Sequence, residues 1–139
     1  MLTFSVVDSQ RLLEAARDVR QHAYAPFSRF AVGAAVADEQ GRIFAGCNVE
    51  NRSFGLALCA ERSAVAAAVA AGARRLVAVA VVTDAHPPAA PCGLCRETLA
   101  EFGDGELVIH LENLRGERRV FRLADLFPEP FRFPNGAGP

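Results

Sequence analysis

Apolar residues recur at helical spacing within residues 8–23, at Leu12, Leu13, Ala16, Val19 and Ala23. Asp8 or Ser9 can cap the start, and Pro26 closes the stretch. The pattern predicts a first amphipathic helix. Two short apolar runs, 30–37 and 43–47, flank the polar connection Asp38-Glu39-Gln40-Gly41-Arg42, which has hairpin length and contains glycine. They read as antiparallel strands. Residues 59–71 are rich in alanine, carry Glu61 and Arg62 in the first turn and end at Gly72, which predicts a second helix by propensity and by its terminal glycine.

The run 76–83 is continuous and valine-rich, as a strand buried on both faces requires, and it ends in the breakers His86-Pro87-Pro88. A third helix is expected over 92–102 with Gly103 as its C-terminal cap, followed by strands at 106–111 and 119–121 around a turn at 113–116. Helix, two strands, helix, strand, helix and two strands make an α/β fold, a three-layer α/β/α arrangement with a mixed sheet of about five strands. Residues 1–131 are expected to form one domain and 132–139 a disordered tail rich in glycine and proline.

Composition narrows the chemistry. The chain has 139 residues, 51% of them hydrophobic, long enough to bury about 65–70% of its unfolded surface without covalent staples. Its formal net charge is -1, which argues against a nucleic-acid partner, because such binding rests on a basic field. All 15 of its Lys+Arg residues are arginine, so lysine Schiff-base chemistry and a P-loop lysine are excluded. No apolar run approaches the ~18 residues of a membrane span and no targeting segment is visible, so a cytoplasmic protein is expected. Four cysteines, Cys47, Cys59, Cys92 and Cys95, are too few for a disulfide scaffold and fit a reducing compartment.

The chemistry concentrates in Cys59-Ala60-Glu61 and, 33 positions on, Pro91-Cys92-Gly93-Leu94-Cys95. Each cysteine cluster sits where a helix is predicted to begin, and helix N-termini favour thiolates. If the two helix starts are adjacent, Cys59, Cys92 and Cys95 would hold one Zn2+ per chain and leave a fourth position for water, whose pKa the metal lowers. Glu61 lies in the same first turn as Cys59 and could reach that water without binding the metal.

These motifs resemble the signature of zinc-dependent nucleobase deaminases, and the chain is similar to cytidine deaminases of the homotetrameric, three-cysteine type. The resemblance runs from about Tyr24 to Phe131. It rests on Tyr24-Ala25-Pro26-Phe27-Ser28-Arg29-Phe30-Ala31-Val32-Gly33-Ala34-Ala35, Gly46-Cys47-Asn48-Val49-Glu50-Asn51, Cys59-Ala60-Glu61-Arg62, Pro91-Cys92-Gly93-Leu94-Cys95-Arg96 and Leu126-Phe127-Pro128-Glu129-Pro130-Phe131. It implies hydrolysis of cytidine and 2′-deoxycytidine to the uridines with release of ammonia, a reaction of pyrimidine salvage. Glu61 would move protons to N3 and to the departing amine. Asn48 and Glu50 would bind the ribose hydroxyls, Phe30 would pack on the pyrimidine, the Ala60 N–H would meet the base carbonyl, and Phe131 would come from a neighbouring subunit of a homotetramer. Arg62 and the two helix N-termini are expected to draw charge off the sulfurs. Phe27 stands where the family commonly has tyrosine.

Duller readings compete with these. Cys47 could complete a structural four-cysteine zinc site, although it is 12 positions from Cys59 on a different element, and Cys92 and Cys95 could be a redox pair, which would leave Glu61 and Cys59 without use. The same motifs would also suit a deaminase of a modified nucleoside of the blasticidin type, or a non-catalytic zinc-stabilised binding protein. His22, His86 and His110 read as surface or packing residues, and Arg74-Arg75 and Arg118-Arg119 as solvated charge. The Ala64, Ala67, Ala68 and Ala71 face is either good helix composition or a close-packing surface.

Overall fold

The computed structural model describes residues 6–134. Of the tail expected at 132–139, residues 135–139 therefore lie outside the described residues. The elements run α1 (Val6–Arg20), β1 (Gly33–Asp38), β2 (Ile43–Cys47), a 3-10 turn (Phe54–Leu56), α2 (Ala60–Ala70), β3 (Leu76–Thr83), α3 (Gly93–Phe102), β4 (Val108–Asn113), β5 (Arg118–Arg122) and the short α4 (Leu123–Leu126). The strands form one sheet in the order β2-β1-β3-β4-β5. All neighbouring pairs are antiparallel except β3 and β4. This is the mixed five-stranded α/β/α arrangement expected.

The alternation of side chains on the two central strands builds the layers. On one face Ala35, Ala37, Ala78, Ala80 and Val82 meet Leu12, Leu13 and Ala16 of α1. On the other, Ala34, Val36, Val79 and Val81 pack with Ala64, Val65 and Ala68 of α2 and Leu99 of α3. Alanines on the α1 face let that helix sit close. A Cβ on Gly33 would lie 1.9 Å from the Ala16 carbonyl oxygen. Likewise a Cβ on Gly46 would lie 2.4 Å from the Ala64 nitrogen, so the small side chains of α2 serve close packing on β2. Only Ala64 and Ala68 of that face are buried; Ala67 and Ala71 are exposed.

Several boundaries differ from the expectation. Helix α1 stops at Arg20, and the N–H groups of Gln21, His22 and Ala23 complete turns onto Asp18, Val19 and Arg20. Strand β1 begins at Gly33, because residues 30–32 are held by side chains from elsewhere. Strand β4 runs from Val108 to Asn113, two residues later than predicted at both ends. Gly103 does cap α3, but with an extended backbone; its lack of a side chain admits Leu107, whose Cδ1 would be 2.4 Å from a Cβ there. Gly72 is the left-handed residue, at φ 98°, and Ala73 N–H bonds back to Ala68 as a Schellman ending requires.

The arginine pairs are more than solvated charge. Arg118 and Arg17 bracket the buried carboxylate of Glu112 at 2.9 and 2.8 Å. Arg119 lies over the Phe121 ring at 4.8 Å. Arg74 closes the end of α2 through the carbonyls of Val69 and Ala73, and Arg75 pairs with Asp104. His86 pairs with Glu117 on the surface, and half-buried His110 contacts Ser9, as packing residues would.

The topology decides where chemistry can sit. Because β1 is antiparallel to both β2 and β3, strands β2, β3 and β4 point the same way. Helices α2 and α3 follow β2 and β3, so both begin at the carboxyl edge of the sheet, where α/β proteins place their ligands. No helix among the described residues is long and apolar enough to cross a membrane.

Candidate metal centre and active site

Cys59 and Cys92 are the N-caps of α2 and α3, each extended in backbone and neither using its side chain to cap the backbone N–H groups of its helix. That leaves the sulfurs free to point at each other across the gap between two helix starts. Cys95, one turn into α3, is buried and completes the group. The three Sγ atoms lie within 4.8 Å of one another, with Cys59 to Cys92 at 3.7 Å and Cys92 to Cys95 at 3.5 Å. A tetrahedral zinc with bonds of about 2.3 Å requires sulfur edges of about 3.8 Å. The donor set and its spacing fit zinc, and Cys47 is not a member of the group.

Electrostatics agree with the geometry. Hydrogen bonding from Cys95 pulls the Cys59 thiol down; burial opposes this, Arg62 and Cys92 add to it, and the result is about 5. Cys95 is pushed up, first as partner of Cys59 and then by burial, so a metal that takes all three thiolates must displace its proton. Arg62 Nη2 donates to the Ala57 carbonyl at 3.0 Å and lies 3.8 Å from the Cys59 sulfur. Its Nε is buried and has no partner among the described residues.

Glu61 follows Cys59 by two positions and turns inward. It is 5% exposed, and burial pushes its carboxyl up; its own backbone N–H partly offsets this and the Cys59 thiolate adds to it. A carboxyl whose burial favours the protonated form is suited to taking and returning a proton.

A pocket of about 230 Å³ opens beside this group. It is lined by Phe30, Asn48, Glu50, Cys59, Ala60, Glu61 and Cys92, together with Ser28, Val32, Val81, Thr83, Ala89 and Ala90. Thus the structure gathers Cys59, Cys92, Glu61, Asn48, Glu50, Phe30 and Ala60 around one cavity, with Cys95 behind it in the sulfur group. Phe131 does not line it; its ring is exposed and packs edge-on to Phe133 at 5.1 Å.

The two polar residues assigned to ribose also hold the loop. Asn48 Oδ1 accepts the Val32 N–H and its Nδ2 donates to the Phe30 carbonyl, both at 2.8 Å. Glu50 Oε1 accepts the N–H groups of Phe27 and Ser28 at 2.9 and 3.1 Å, and the Ser28 hydroxyl donates to Oε2. That hydroxyl is the largest influence holding the Glu50 carboxyl below its ordinary range. Sequence reasoning did not single out Ser28, Thr83, Ala89 or Ala90. Ser28 stood inside the block around Phe30, whereas nothing in their spacing marked the other three.

The comparisons with known proteins point the same way. Residues 7–111 match the model for the cytidine and deoxycytidylate deaminase zinc-binding region. A cytidine deaminase of Sporosarcina psychrophila is 42% identical over 125 residues, covering 90% of this chain and 92% of its own length. One from Mycobacterium tuberculosis is 45% identical over 125 residues, 90% of each chain. The crystal structure of cytidine deaminase from Burkholderia pseudomallei superposes with a TM-score of 0.84 at 48% identity, over 88% of this chain and 98% of that one. With a matched domain spanning most of its length and these relatives along nine-tenths of it, the chain belongs to the cytidine and deoxycytidylate deaminase family.

Proposed function

We propose that the chain catalyses hydrolytic deamination of cytidine and 2′-deoxycytidine: water adds at C4, ammonia leaves, and uridine or 2′-deoxyuridine remains. One observation carries the reading. Two sulfurs of the zinc-fitting cysteine triangle, those of Cys59 and Cys92, and the buried Glu61 line one pocket of about 230 Å³.

Cys59, Cys92 and Cys95 would hold the zinc, which would supply the Lewis acidity that lets water act as a nucleophile near neutral pH. Glu61 takes a proton from the attacking water and delivers it to N3 of the ring, then takes the second from the hydroxyl so formed at C4 and passes it to the amine, which leaves as ammonia while the C4 carbonyl forms. Its raised pKa supports that traffic in both directions. The Ala60 N–H, at the free first turn of α2, donates to the base carbonyl, and Phe30 packs on the pyrimidine. Asn48 and Glu50 engage the ribose hydroxyls with the donor and acceptor capacity that the loop leaves over. Arg62 relieves charge on the sulfurs.

Phe131 enters the pocket of a neighbouring subunit in a homotetramer. The exposure of Phe131, and of Phe27 and Phe54 in the hollow beside the pocket, supports that assembly. Residues 1–131 act as the one catalytic unit, in the cytoplasm and in pyrimidine salvage, with the tail outside the chemistry. The test is absorbance loss on adding cytidine to zinc-loaded protein, with ammonia released in equal amount. Absence of both would refute the activity, and a monomer in sedimentation equilibrium would remove Phe131 from the pocket.

A further inference from the structure

We propose that Ser28 is a positioning residue for nucleoside recognition: its hydroxyl sets the free face of the Glu50 carboxylate toward the ribose. The inference rests on the reading of Glu50 as a ribose contact. Glu50 lies on an irregular segment after β2, where no helix or strand fixes its rotamer. One carboxylate oxygen is committed to two backbone N–H groups, of Phe27 and Ser28. The other, Oε2, receives the Ser28 hydroxyl and has acceptor capacity to spare for a sugar hydroxyl.

Where that capacity points depends on where the hydroxyl sits, and the hydroxyl is itself anchored. Ser28 Oγ accepts the N–H of Phe30 at 3.0 Å while donating to Glu50. A group that donates and accepts at once is polarised in both directions, which strengthens each bond. Ser28 and Glu50 also form the wall between the main pocket and a second hollow of about 350 Å³ lined by Phe27, Asn51, Phe54 and Ala57. Without the hydroxyl, Oε2 is free to turn about the anchored Oε1 toward that hollow and away from the ribose. The hydroxyl therefore preorganises an acceptor, which raises affinity without adding a contact of its own.

A merely structural serine would stabilise the turn at Phe30 and affect every ligand alike. A serine acting through Glu50 matters only when the sugar carries hydroxyls. The experiment compares kcat/KM for cytidine and for 2′,3′-dideoxycytidine in zinc-loaded wild type, Ser28→Ala and Ser28→Thr. For cytidine, Ser28→Ala is expected to lose about tenfold, the scale of one hydrogen bond to a charged group, and Ser28→Thr to recover most of it. For the dideoxynucleoside the three proteins should agree within about twofold. Equal losses on both nucleosides, or no loss on cytidine, would overturn the role of Ser28. Wild type that fails to prefer cytidine over the dideoxynucleoside would overturn it differently, by removing Glu50 from ribose binding.

Discussion

Arg96 reaches across 30 residues of sequence to the carbonyl of Leu126, its Nη1 donating at 2.7 Å, while its Nε holds the carbonyl of Pro91 at 2.8 Å. One half-buried guanidinium thus ties the turn that presents Cys92 to the short helix α4, from which the chain runs on to Phe131. Replacing it with alanine removes two charge-assisted bonds and strands two carbonyls. Zinc-loaded Arg96→Ala should lose about 2 kcal/mol and melt roughly 5–10 °C lower. Calorimetry would check this, and a melting point unchanged within about 1 °C would show that the strut carries no load.

Arg62 has a different task. Its guanidinium sits beside the Cys59 sulfur, and among the described residues its buried Nε has no hydrogen-bond partner. Arg62→Ala is expected to lower kcat about tenfold or more, the usual scale for groups that tune metal ligands, and to move the acid limb of the rate profile to higher pH. An unchanged profile together with full zinc content would remove this role.

Packing of α1 on β1 also reaches the site. Arg20, at the end of α1, donates through Nε to the Ala31 carbonyl at 3.0 Å, next to Phe30. The space for Arg20 exists because residue 33 has no side chain; a Cβ there would meet Arg20 Cβ at 2.7 Å as well as the Ala16 carbonyl. Gly33→Ala should therefore destabilise by about 2 kcal/mol, within the range for overpacking, and raise KM for cytidine more than it lowers kcat. Chemical denaturation and steady-state kinetics would measure the two effects; a variant as stable as wild type would contradict the contact.

His110 gives stability a pH dependence. Burial, helped by the charge of Arg118, holds its pKa below the ordinary 6.5. Between its lowered folded value and 6.5 the unfolded chain binds more protons, so stability rises with pH through this window and falls as acid is added. His110→Gln should flatten that acid-side slope in a denaturation series from pH 5 to pH 7. A slope that survives the substitution would have to come from other groups.

Much of the fold and the site is legible in sequence because the chemistry needs particular residues at particular helix starts. Cys59 and Cys92 as caps, Glu61 in the first turn, and the valine run of β3 are all constraints that one local window displays. What escapes depends on distant partners. Helix α4 is four residues long, too short for periodicity to reveal, and is held by the Arg122 and Asp125 capping box and by Arg96. Arg118 reads as surface charge because its partner, Glu112, becomes buried only once β4 and β5 pair. The loop before Gly33 reads as strand by composition, yet Asn48 and Arg20 occupy the backbone groups that a strand neighbour would use.

The most direct measurement is zinc content and turnover of Glu61→Gln in parallel. One zinc per chain is expected, as in wild type, with cytidine turnover reduced by ~10²–10⁴-fold, the share that general acid-base catalysis supplies. Turnover close to wild type, or zinc lost along with the carboxylate, would contradict that expectation.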